Sequence, residues 1–358
     1  MENLSKNVDI LNGYIMSENE VVVTITNGKI LQIDTKKAPL HFQNGKSLEK
    51  WLKSRAIDSH RTNSRLLKKV LRLENKDDLN TVLAVNAVTI TDNYWYKGKD
   101  EKITWEDVKY KENIFDNLAL KGDPDAFSNT PSRTPELTNI GSFEKCWKLE
   151  NGKWWLYKYG NKNEIFSELF IYKIGTKLGF NMAKYEYSDG YIKTLDFTNN
   201  REYNYEPISS ILNDNEDYDT NFNYLYSLSE EIAKDYLKMI YLDSVCYNMD
   251  RHTNNYGLLR DAKTGEILSL APNFDNNIAL ISNGYPSDVT RKKDGLIKFF
   301  TSFINQNEKA KNMLKELKIQ DLKQEEIEQI INQIPIKVNN EFIINFIING
   351  QNIIKGDE

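Results

Sequence analysis

Residues 248–277 constrain the chain most. They read NMDRHTNNYGLLRDAKTGEILSLAPNFDNN. A polar cluster is followed by two apolar runs joined across Lys263-Thr-Gly265, and then by a second polar cluster. A strand–turn–strand of this kind sends a chain back on itself. The spacing therefore predicts that Asp250, His252, Asn254 and Asn255 return to the neighbourhood of Asp275, which stands among Asn273, Asn276 and Asn277. Upstream, Ile232, Tyr236, Met239 and Ile240 form a stripe with helical spacing, and Ser227-Leu-Ser-Glu230 has the form of a capping box. A helix from Ser227 to about Cys246 is expected to deliver the first cluster.

Single Asn and Asp residues usually cap turns. Jointly, in this order and at this spacing, they suit phosphoryl transfer, which asks for positioning and charge neutralisation more than covalent help. One carboxylate orients an acceptor hydroxyl, the part Asp250 fits. A second carboxylate and an amide oxygen hold Mg²⁺, a hard ion that keeps several waters, and Asp275 and Asn255 fit that part. His252 reads as a brace for the loop or as a base. The chain has only three His and two Cys. That excludes a four-ligand Cys/His zinc site and a disulfide framework, and argues against His-based hydrolysis.

A second informative stretch runs from Thr138 to Leu178. EKCWKLE and KWWLYKY flank Asn151-Gly152, a strong hairpin signal. Trp154, Leu156 and Lys158 alternate onto one face of the second strand. A lysine on an apolar face either reaches outward or meets a buried anion such as a nucleotide phosphate. The run from Asn163 to Leu178 is expected to be a helix, with Glu168 at the edge of its apolar stripe, able to pair with Lys158. Glu164, one turn earlier, competes for that role. Gly141, in Thr138-Asn-Ile-Gly-Ser142, is a candidate phosphate loop, and Lys145 either reaches phosphates or lies on the strand surface.

These pieces, in this order, resemble the HipA-like kinases. The matching elements are Gly141-Ser-Phe-Glu-Lys145, Lys158, Ser167-Glu168, Asn248-Met-Asp250-Arg-His252-Thr-Asn-Asn255 and Phe274-Asp275. The likeness spans roughly 134–310; Ser167 stands where the family usually has Asn. The resemblance implies an α+β, two-lobed protein-kinase-like fold with a small β-rich N-lobe and a larger α-rich C-lobe. It implies ATP and Mg²⁺ as cofactors and a protein substrate with a Ser or Thr acceptor. Asp250 would be catalytic, Asn255 and Asp275 metal ligands, Lys158 the ATP lysine and Glu168 its partner. The adenine hinge would lie at Thr194–Thr198, including Asp196 and Phe197. Some members autophosphorylate the loop before the hairpin, where Ser142, Ser132 and Thr138 are candidates. Many are toxins restrained by an antitoxin-like regulator. Asp250-Arg-His252 also resembles the phosphoinositide kinases, so a lipid or small-molecule hydroxyl is the alternative acceptor. A non-catalytic nucleotide-binding module is a further alternative.

The expected division is an accessory domain of mixed α/β structure at 1–120, a Ser/Thr/Pro-rich linker at 121–139, an N-lobe at 140–198 and a C-lobe at 199–358. Within the first, Val21–Asp34 reads as a hairpin across Asn27-Gly28, and 47–56, 61–72 and 77–88 as short helices. Asn93–Lys97 and Ile103–Trp105 read as strands or an aromatic loop, and 199–222 as a polar loop. A net charge of −5 excludes nucleic-acid binding by bulk charge. No apolar run approaches the roughly 18 residues of a membrane span, and the N-terminus has no signal-peptide pattern. A cytoplasmic protein is the expectation.

Overall fold

The structure, a computed structural model, describes residues 8–57, 61, 67–68, 77–113, 133–141 and 144–356. It is an α+β protein. The chain divides into two compact units, one of Met1–Tyr159, Lys193–Glu206 and Leu259–Leu268, the other of Gly160–Ile192, Pro207–Leu258 and Ser269–Glu358.

The first unit opens with strands β1 (Gly13–Ser17), β2 (Glu20–Thr26) and β3 (Lys29–Ile33), joined in an antiparallel sheet of order β3-β2-β1-β4 with β4 (Tyr94–Gly98). Asn27 and Gly28 both take positive φ, +48° and +70°, as the expected two-residue turn requires. Helices α1 (Leu40–Gln43), α2 (Leu48–Lys53) and α3 (Asp78–Leu83) follow, and Ser47 and Asp77 cap the last two. Their apolar faces close over the sheet around Ile15, Val23, Phe42, Trp51, Leu52 and Val82. Ile103–Trp105 is not a strand. Asp107 accepts from the Thr104 amide and hydroxyl, and that box starts a one-turn helix α4 (Trp105–Val108).

Strands β5 (Lys145–Glu150) and β6 (Lys153–Lys158) form the second expected hairpin, with Glu150 opposite Lys153. Trp147 and Trp154 pack with Trp95, Trp105 and Leu137 in a core shared with the N-terminal residues. Strands β7 (Tyr185–Ser188) and β8 (Tyr191–Leu195) complete a sheet of order β5-β6-β8-β7, and β9 (Tyr203–Pro207), β10 (Gly257–Asp261) and β11 (Ile267–Leu270) make one of order β11-β10-β9. Buried ion pairs brace the first unit, among them these two. Arg55 grips both oxygens of Asp92 at 2.7 and 2.8 Å. Arg260 bonds Glu206, the Tyr94 hydroxyl and the Ala38 carbonyl.

The second unit is mainly helical: α5 (Lys162–Lys177), α6 (Ser209–Leu212), α7 (Tyr218–Leu228), α8 (Glu230–Cys246), α9 (Gly295–Gln306), α10 (Glu308–Leu317), α11 (Gln324–Asn332) and α12 (Asn340–Lys355). α8 is buried along most of its length and packs against α7, α9, α10 and α12. Two expectations need correction here. The stretch 199–222 is not a loop, because it holds β9, α6 and the start of α7, whose Asp217 cap accepts from Thr220. Ser227 lies inside α7, and Ser229 caps α8 by accepting from the Glu231 amide.

Candidate active site

In the second unit, α8 ends where Tyr247 turns left-handed at φ +56°. The next residue folds back: the Asn248 amide donates to the Asp243 carbonyl, and its side chain to Asp243 Oδ1, both at 2.9 Å. Asn248 Oδ1 in turn accepts from the Asp250 amide at 3.1 Å, which fixes the start of the loop. Asp250, His252 and Asn255 then form a tight turn, His252 N to Asp250 O at 2.9 Å and Asn255 N to His252 O at 2.8 Å. His252 Nδ1 accepts from the Asn254 amide at 3.3 Å, so this ring nitrogen serves the loop. Asn255 is buried and donates Nδ2 to the Asp250 carbonyl at 2.9 Å. An amide held by its nitrogen presents its oxygen elsewhere, as a metal ligand must.

The Asp275 segment is held from three sides. Asp275 has φ +61°, an uncommon conformation for a residue other than glycine. Its amide donates to the Tyr185 hydroxyl at 3.0 Å. The Asn276 amide donates to Glu168 Oε1 at 2.7 Å, and Tyr185 also hydrogen-bonds Glu168. Burial, followed by the negative charges of Glu168 and Asp275, pushes the Tyr185 hydroxyl well above the ordinary tyrosine range, so it stays a neutral donor. Ser167, beside Glu168 on α5, donates to the Ala279 carbonyl at 2.7 Å. The third side is Arg251, whose side chain is 4% exposed. Burial opposes its charge, but the carboxylates of Asp243, Asp275 and Glu168 more than offset this and raise its pKa. Asp250, His252, Asn255, Asp275 and Glu168 thus belong to one hydrogen-bonded neighbourhood.

Glu164 is engaged at the start of α5. Its carboxylate accepts from the Asn161 amide while Asn161 Oδ1 caps α5, a reciprocal box that explains why the helix starts there.

The first unit holds the basic residues. Lys145 and Lys158 are direct partners across the β5–β6 ladder, and both are buried. Cross-strand partners share a face, and like charges there repel, so the pair suits a ligand carrying several negative charges. Gly141 has φ +107°, and a side chain at this position would run into the Lys145 ammonium group. The lysine tip can give way, but the positive φ is strained for any residue other than glycine. The loop ahead of it is anchored by Glu136, fully buried, which accepts from Asn139, Asn113, the Trp147 amide and Arg61. Asp196 is spent on its own turn, accepting from the Thr198 amide and hydroxyl and the Asn200 amide. Phe197 meets Tyr205 edge to face, with ring centroids 5.5 Å apart. Thr138 is buried and donates to the Val88 carbonyl at 2.6 Å. Ser132 and Ser142 lie outside the described residues.

Sequence reading missed Arg251, Tyr185 and Glu136. Arg251 stood in plain view between Asp250 and His252. For the other two, the contacts from Tyr185 to Asp275 and from Glu136 to Trp147 span 90 and 11 residues, which no local pattern announces.

The chain was compared with known proteins. No family model and no curated protein matches it. Among solved structures 26 chains match, two of which follow. One is the Helicobacter pylori proinflammatory kinase CtkA, 18% identical, covering 60% of this chain and 90% of that one at a TM-score of 0.45. The other is HipA of Shewanella oneidensis MR-1, solved with HipB and operator DNA, 12% identical, covering 84% of each chain at a TM-score of 0.47. At these identities the chemistry has to be read from the residues themselves. Among the described residues no group of three or more His, Cys, Asp or Glu could hold a metal alone.

Proposed function

We propose that this protein is an ATP- and Mg²⁺-dependent kinase that transfers the γ-phosphoryl group to a Ser or Thr hydroxyl of a protein. The observation that supports the reading is the interlocking of segments 250–255 and 273–276, where Arg251 bonds the Asn255 and Phe274 carbonyls and the Tyr185 hydroxyl accepts from the Asp275 amide. Asp250 accepts the hydrogen of the acceptor hydroxyl and orients its oxygen for in-line attack. Asn255 and Asp275 would hold Mg²⁺, which supplies charge neutralisation when bound. Lys145, Lys158 and the Gly141 loop bind phosphate oxygens, and the backbone of 194–198, with Asp196 and Phe197 at its end, takes the adenine. Glu168 keeps the Asp275–Asn276 backbone in register.

The Ser/Thr residues ahead of β5, with Ser142 foremost, are proposed as autophosphorylation sites. Residues 1–120 are proposed as an accessory region from the Ser/Thr/Pro-rich composition that follows them, and an antitoxin-like regulator as a partner from the family resemblance alone. The Asp250-Arg-His252 element supports one alternative acceptor, an inositol lipid or other small hydroxyl compound.

Nucleotide titrations test the reading. Lys158→Met should weaken ATP binding on the order of tenfold or more with and without Mg²⁺. Asp275→Asn should abolish only the part of the affinity that Mg²⁺ adds. Wild type with no ATP affinity in either condition would overturn the proposal. Offering protein, inositol lipid and small-metabolite acceptors then separates the two acceptor classes.

A further inference from the structure

Arg251 makes more hydrogen bonds than any other side chain of the second unit described above. Nε and Nη2 bond the two oxygens of Asp243 on α8, each at 2.9 Å. Nη1 bonds the carbonyl of Asn255 at 2.9 Å and the carbonyl of Phe274 at 2.7 Å. Nη2 also reaches Asn273 Oδ1 at 2.8 Å and Asn276 Oδ1 at 2.7 Å. One nitrogen therefore joins the backbone of one proposed metal ligand, Asn255, to the peptide immediately before the other, Asp275. The whole group is anchored to a helix by a bidentate, buried carboxylate.

We infer that Arg251 is the positioning residue that sets the distance between the two metal-ligating oxygens, with Asp243 as its anchor. The inference rests on the kinase reading for the identity of the ligands, but its geometry is independent of the acceptor. The physics is specific to arginine. A planar fork with five N–H groups can hold two carbonyls and a carboxylate at once; a lysine ammonium has three donors and no fixed plane. Mg²⁺ tolerates little deviation from octahedral geometry, so a loose ligand spacing weakens it sharply. Groups that orient ligands without touching the ion typically influence metal affinity by 10–100-fold.

The test is binding of Mn²⁺, as a spectroscopic stand-in for Mg²⁺, to the ADP complex by electron paramagnetic resonance, beside binding of fluorescent ADP in EDTA. Arg251→Lys keeps the charge and most of the volume, and Asp243→Asn serves as a second variant that leaves Arg251 in place. The expected result is Mn²⁺ affinity reduced on the order of tenfold or more in Arg251→Lys and by less in Asp243→Asn. Metal-free ADP binding stays within about twofold in both, because the basic residues proposed for phosphate are elsewhere in the chain. Unchanged Mn²⁺ affinity in Arg251→Lys would overturn the inference, and so would equal losses of Mn²⁺ and metal-free ADP, since both results leave Arg251 a packing role only. If wild type binds ADP but no Mn²⁺, the ligand assignment falls and the inference with it. If wild type binds no ADP, the kinase reading itself fails.

Discussion

Replacing Tyr185 by Phe removes one oxygen atom and leaves the ring in place. That oxygen accepts from the Asp275 amide at 3.0 Å and bonds the Glu168 carboxylate, and Tyr185 is 3% exposed. The substitution opens no cavity of consequence, so the effect isolates the two hydrogen bonds. A bond to a charged group contributes about 1.5–3 kcal/mol, and a buried amide left without an acceptor costs about 1–3 kcal/mol. Both depend on one hydroxyl and are coupled, so their sum is an upper bound. A loss of about 2–4 kcal/mol is expected. With a urea slope of about 1–3 kcal/mol/M, the midpoint should fall by roughly 1 M or more. Tyr187→Phe, two residues along the same strand and 42% exposed, is the control and should stay within about 0.5 kcal/mol. A double-mutant cycle with Glu168→Gln should return a coupling of about 0.5–3 kcal/mol. A Tyr185→Phe midpoint indistinguishable from that of Tyr187→Phe would refute the claim that the Asp275 segment is held through this hydroxyl.

Three further outcomes follow from the geometry. Gly141→Ala puts a side chain at φ +107° beside the Lys145 ammonium, so ATP affinity in titrations should fall and stability in urea should drop by about 1–3 kcal/mol. Glu206→Leu leaves Arg260 buried without its carboxylate and should cost about 3–5 kcal/mol in urea unfolding, with part regained in Glu206→Leu/Arg260→Met. His41 is buried on α1 with Nε2–H donating to the Ser47 carbonyl, and burial lowers its pKa from 6.5 to about 4. The unfolded chain thus takes up this proton first, so the contribution is complete above pH 6.5, shrinks as pH falls toward 4, and amounts to about 3 kcal/mol in all. Proton NMR of the His41 ring should show the titration near pH 4, and a value near 6.5 would contradict the burial argument.

Much of this arrangement was legible because it is encoded locally. Asn27-Gly28 and Asn151-Gly152 each supply two adjacent positive φ angles between alternating apolar residues, and both hairpins form where the sequence placed them. The hairpin across Lys263–Gly265 likewise follows from its own residues, and it is why Asn255 and Asp275 could be read as neighbours. The choice between Glu164 and Glu168 was open on spacing alone. The structure adds that Glu164 belongs to the helix cap with Asn161, three positions before it. What escaped is encoded at long range or disguised by composition. The start of α7 looked like a loop because Asn221 is polar, yet it is fully buried and donates to the carbonyls of Asn215 and Asp217. Ile103–Trp105 looked like strand or aromatic loop, and the cap that Asp107 closes around Thr104 makes Trp105 the start of a helix. Arg251, Tyr185 and Glu136 take their roles from partners that only folding brings near, and no spacing rule announces them.

The most direct measurement of the central claim is intact-mass and peptide-mapping analysis of the purified protein after incubation with ATP and Mg²⁺, beside Asp250→Ala. The account predicts added phosphate on wild type only, within residues 128–142. Phosphate on both proteins, or on neither while a broad panel of protein and lipid acceptors also stays unlabelled, would contradict it.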